Sequence, residues 1–122
     1  MTAVTRQATM IERRFHGPSQ TGHGCYSCGR LARERRGAGH VSLCSPPPLE
    51  RPLTTERAED DERLLLLDGE TILADAQGIM LELDPPPHIE LAAAQAASSR
   101  CLGFAHHPLP TCFPSGPNRT ER

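Results

Sequence analysis

The sequence predicts an α+β fold, with one antiparallel sheet carrying a short helix, and three stretches support it. Cys25, Cys28, Leu31 and Ala32 recur at helical spacing behind the glycine-punctuated run F-H-G-P-S-Q-T-G-H-G at 15–24. Leu64, Leu65, Leu66 and Leu67, then Asp68-Gly69, then the alternating Ile72, Ala74 and Ala76, read as a β-hairpin. Proline triplets at 46–48 and 85–87 interrupt the strand-forming region, because proline donates no amide to a ladder.

Taken in order, residues 1–9 show no periodicity and are expected as a disordered leader. A first strand is expected over 10–15, ended by the Gly17-Pro18 breaker. The helix follows, with Arg30, Arg33, Glu34 and Arg36 largely on the face opposite the cysteines and Gly37 as its stop. About three turns long, it needs packing against something larger. Alternation over 40–44 gives a strand, and an extended edge resumes over 49–57. The acidic stretch 59–62 reads as a solvated turn. Four leucines in succession suit a strand covered on both sides. After a short apolar segment at 79–83, residues 89–100 form an alanine-rich helix by propensity. The resulting division is a leader at 1–9, a half-domain at 10–84, a proline turn with an Ala-rich helix at 85–102, and a loop or linker tail at 103–122.

At 122 residues one modest core is the expectation. Twelve Pro and ten Gly in a chain only 37% hydrophobic predict that part of it is poorly ordered. All thirteen cationic side chains are Arg, a bias that a GC-rich genome explains more simply than thirteen phosphate forks. A formal charge of -2 and a pI near 6.3 argue against a nucleic-acid binder, and only Arg30, Arg33, Arg35 and Arg36 cluster. No apolar run suits a secretory signal or a membrane span, so a cytoplasmic protein is expected. Five cysteines, an odd number, fit reduced thiols better than a closed disulfide framework.

Several segments resemble, in the same order, a group of actinobacterial thioesterase-like proteins built from two hotdog halves: F-H-G-P (15–18), S-C-G-R-L-A (27–32), P-P-P-L-E-R-P-L (46–53), R-L-L-L-L-D-G-E-T-I-L-A-D-A (63–76), P-P-P (85–87) and H-P-L-P-T-C-F-P-S-G-P (107–117). The resemblance implies a hotdog-like antiparallel sheet wrapped on a short central helix, here as a single, truncated half. It further implies an acyl-thioester ligand such as acyl-CoA, and a homodimer or a second hotdog half as partner. Two departures stand out. The last motif of the group reads C-F-x-C-G-P and leads into a second half, whereas here Cys112-Phe113-Pro114-Ser115-Gly116-Pro117 is followed by five residues. The glycine pair at the helix start reads Gly24-Cys25, with His23 just before it.

A thioesterase of this kind needs amides to polarise the thioester carbonyl and a base to activate water. The start of a helix supplies the first, and Gly24 and Cys25 are placed there; a tight turn alone would also explain the glycine. For the base, Glu34 sits at the wrong end of the helix, which leaves His23 or a carboxylate of the partner; an exposed bystander is the alternative for a loop histidine. Arg30 and Arg33 could meet coenzyme A phosphates, or be simply solvated. Cys25-Tyr26-Ser27-Cys28 is a C-x-x-C, but no second matched pair completes a zinc site and no redox βαβ order surrounds it; two inward-facing small residues is the simplest reading. No metal and no cofactor are expected. A non-catalytic truncated half acting as a dimerisation module is the rival reading, and a small zinc protein a third.

Overall fold

The computed structural model describes residues 4–57 and 63–119. Five strands form one antiparallel sheet: β1 (Thr5–Thr9), β2 (Gly39–Leu43), β3 (Leu53–Arg57), β4 (Arg63–Asp68) and β5 (Thr71–Gly78), in the order β1-β3-β4-β5-β2. A helix, α1 (Gly24–Ala32), falls between β1 and β2 and packs on β2, β5 and β4. Two further helices, α2 (Leu91–Ser98) and α3 (Leu102–Ala105), follow the sheet. The α+β expectation holds at this level: one antiparallel sheet, one packed helix. No helix among the described residues is long and apolar enough to cross a membrane.

The register explains the core. Because side chains alternate along a strand, one face of the sheet carries the rows Arg57–Leu64–Ala76–Val41 and Thr55–Leu66–Ala74–Leu43. On that face Leu53, Leu64, Leu66, Ala74 and Ala76 are buried and join Ile11, Leu31 and Leu73 in a single aliphatic cluster. Each large member fully withdrawn from water contributes about 1.5–3 kcal/mol. A nine-residue helix would not persist alone, so Leu31, completely buried, is what fastens α1 to the sheet.

The hairpin forms where expected, with its turn one residue later. Asp68 pairs Thr71, leaving Gly69-Glu70 as the two-residue loop, and only Gly69 of the pair has a positive φ (+60°). That combination belongs to a type II′ turn, whose first central residue is best glycine. A bulge then shifts the register between Leu66 and Leu67, so Leu73 and Ala74 both turn inward while Ile72 faces out. The expected single face of Ile72, Ala74 and Ala76 is thereby corrected.

Other expectations need correction as well. The strand placed over 10–15 lies earlier: Thr5–Thr9, inside the supposed leader, pairs with β3, whereas Arg13–Phe15 is a 3-10 turn. The extended edge at 49–57 narrows to β3, an interior strand between β1 and β4, and the edges are β1 and β2. Leu65 and Leu67 are only half-buried, so the leucine run is covered on one side, not two. The tail at 103–122 is not all loop. It begins within α3 and then docks: Cys112 is buried, the Phe113 amide donates to the His16 carbonyl at 2.8 Å, and Phe113 packs on Phe15 and Tyr26. The apolar segment at 79–83 is exposed and has no regular structure, and the alanine-rich helix is the shorter α2, which buries no residue. The acidic turn at 59–62 lies outside the described residues.

Candidate functional site at the start of helix α1

His23 precedes α1 in an extended conformation, and its Nδ1 accepts the Tyr26 amide at 3.2 Å. The imidazole therefore occupies the role that serine or aspartate usually fills at a helix start. The His23 amide donates to Phe15 O at 2.8 Å, and the His23 carbonyl accepts both the Ser27 amide (2.9 Å) and the Ser27 hydroxyl (2.8 Å). Ser27 is completely buried, so its hydroxyl is a structural group here.

Of the four amides at the helix start that no helical carbonyl reaches, those of His23 and Tyr26 are thus satisfied. The amides of Gly24 and Cys25 take no acceptor among the described residues. Gly24 belongs to the wall of a groove of about 330 Å³, and Cys25 follows it in the chain. Its remaining walls are Pro18, Thr21 and Gly22 from the loop before α1, and Leu43 to Pro47 from the end of β2 onward. The Gly22 amide donating to Pro47 O at 2.8 Å, with a bridge between Thr21 and Pro48, ties the two walls together. The lining is mainly apolar and includes no carboxylate and no imidazole.

The residues expected to work together separate into two places. His23, Gly24 and Cys25 meet at the groove end of α1. Arg30 lies six residues further on, about 9 Å along the axis, where its guanidinium donates to Thr9 Oγ1 at 2.9 Å and approaches the Tyr26 hydroxyl at 3.5 Å. It joins α1 to β1. Arg33, the residue that ends the helix, is exposed, and Arg57 donates to the Glu34 carbonyl. Arg35 lies against Gly39 and Gly78 at the end of the β2–β5 pair. The arginine group therefore does not converge on the groove.

The cysteine pair also differs from expectation. Cys25 is exposed and Cys28 half-buried, while the helix face turned to the core carries Ser27 and Leu31. Burial pushes the Cys28 thiol up from its ordinary value, with the neighbouring Cys25 and Cys44 thiols adding to the effect. All the cysteines are free, and among the described residues no three His, Cys, Asp or Glu side chains are grouped as metal ligands would be.

Leu43, Cys44, Ser45, Pro46 and Pro47 complete the groove and were not among the expected site residues. The proline triplet was legible only as a strand breaker; its use as a wall depends on the Gly22–Pro47 contact, which no local pattern announces. A scan against protein-family models and searches of curated proteins and of solved structures give no match to this chain.

Proposed function

We propose that the protein is a hotdog-like half that binds an acyl-thioester such as acyl-CoA in the groove at the start of α1, as a homodimer or with a second half. The observation that carries this reading is the pair of unpaired amides at the start of α1, Gly24 and Cys25, the first of which belongs to the wall of a mainly apolar groove. The amides suit a polarised thioester oxygen, and Pro18, Leu43 and Pro46 suit the first carbons of an acyl chain. The succession of one strand, a helix and four antiparallel strands, with the helix on one face, is consistent with the hotdog arrangement.

Binding is favoured over hydrolysis within a single chain. His23 has committed Nδ1 to the Tyr26 amide, so in its neutral form Nε2 carries the proton and has no lone pair to take one from water. With no carboxylate in the lining, the base would come from the partner copy or half. This favours the rival reading, a non-catalytic half, over an enzyme complete in one chain.

Titration of the full chain with hexanoyl-, decanoyl- and palmitoyl-CoA by calorimetry tests the reading. Gly24→Pro deletes one of the two amides at the first helical residue, with His23 before it already extended; the added Cβ would lie 3.1 Å from Leu43 Cδ2, the end of an exposed side chain that must shift slightly. The expected outcome is micromolar binding by the wild type and at least tenfold weaker binding by Gly24→Pro with unchanged circular dichroism. No binding of any of the three, or equal binding by the variant, overturns the assignment.

A further inference from the structure

Residues 77–102 are exposed without interruption. Apolar side chains lie among and just beyond them with most of their surface in water, including Met80 (91% exposed), Leu83 (76%), Leu91 (70%) and Phe104 (67%). The accessible surface of the chain is 8925 Å² at 13.3 kDa, where a compact monomer of that mass exposes about 6,450 Å². The excess, about 2,500 Å², exceeds the roughly 800 Å² per partner that a stable interface of standard size buries.

A second unburied surface lies on the sheet face opposite α1. The rows Glu56–Leu65–Asp75 and Thr54–Leu67–Ile72 run across it, with Leu65 and Leu67 half-buried and Ile72 exposed. A hollow of about 190 Å³ beside Leu65, walled by Val4, Glu56 and Arg63, has room for an aliphatic side chain. Arg6 and Arg63, paired at 2.9 and 2.6 Å with Glu56 and Asp75, keep more than half of their side-chain surface in water. They can receive the arm carboxylates Glu82 and Asp84.

We propose that residues 79–105 are an exchange arm that lies across this bare sheet face of a second copy of the chain. The arm is tethered at its start, and the chain is held again beyond its end. Its Ile79 amide donates to Ala38 O, and the chain returns at Phe113, which is fixed to His16 and packs on Phe15 and on Tyr26 of α1. Within its own copy the arm leaves that face bare: residues 77–102 are exposed, and Leu65, Leu67 and Ile72 are not buried. In a two-fold pair each copy supplies one arm and one receiving face, so both surfaces are buried by the same contact. The arm proposal does not depend on the ligand reading: a dimer that binds no acyl-CoA leaves it intact.

Light scattering of the purified full chain at tens of micromolar tests it, with two variants. The wild type is expected at twice 13.3 kDa. Met80→Asp/Leu83→Asp/Leu91→Asp on the arm and Ile72→Glu on the receiving face each change exposed side chains, and each is expected to raise the dimer dissociation constant at least 100-fold with unchanged far-UV circular dichroism. A monomeric wild type, which would leave the arm to a different protein, overturns the proposal. So does a dimer that survives either variant.

Discussion

The imidazole of His23 accepts the Tyr26 amide through Nδ1, so substitutions there separate a helix cap from a catalytic base. His23→Ala removes the acceptor and is expected to cost about 1 kcal/mol in urea denaturation. His23→Asn restores an acceptor at the same place and should recover most of that loss. If His23 were the base, acyl-CoA hydrolysis would vanish in both variants; if it is the cap, any hydrolysis present should follow stability and return with Asn. The thiols offer a second test at this scale. Burial raises the Cys28 thiol, so iodoacetamide at pH 8 should label exposed Cys25 well before Cys28, read by peptide mass spectrometry. A thiol raised on folding is best tolerated neutral. The stability this contributes is complete below the ordinary value of 9.0 and declines as pH rises through the folded-state value, a decline that Cys28→Ala should remove.

At the scale of elements, what the sequence made legible was what is locally encoded. The β4–β5 hairpin carries its own turn chemistry at Gly69 and its own aliphatic pattern, and α1 carries helical spacing ending in buried Leu31. β1 was illegible because T-R-Q-A-T has no apolar alternation. Its stability comes from the ladder to β3, almost fifty residues away in sequence, and the Thr55 hydroxyl adds a bond to Gln7 O at 3.3 Å. The leucine run misled for a related reason: composition cannot say whether a second layer covers Leu65 and Leu67, and in the chain itself ion pairs flank them. The buried face of α1 departs from the expected one because Ser27, a small polar residue, is buried by giving its hydroxyl to a carbonyl one turn back. Half of the candidate site, Gly24 and Cys25, could be read from the glycine-rich run. The other half could not, since Leu43 to Pro47 reach it only through folding.

At the scale of the whole molecule, the segment near the end of the described chain closes over the segment that begins α1. Phe15 and Tyr26 stack with ring centroids 4.0 Å apart, and Phe113 meets both edge-on at 4.8 and 5.6 Å. Three of the four aromatic side chains in the protein thus sit in one cluster behind the loop that forms the groove wall. Edge-to-face pairs contribute about 0.5–1.5 kcal/mol beyond the area they bury. Phe113 is half-buried, so Phe113→Ala is expected to cost about 2 kcal/mol, less than the 3–5 kcal/mol typical of a fully buried phenylalanine. The consequence should reach the groove. Phe15 O holds the His23 amide at 2.8 Å, and loosening the cluster frees the loop that positions the Gly24 and Cys25 amides. Hydrogen exchange on Phe113→Ala should therefore speed at 15–27 and stay near wild type in β4 and β5, whose ladder lies on the far side of the core. Equal acceleration throughout would mean that the tail supports global stability alone and does not shape the site.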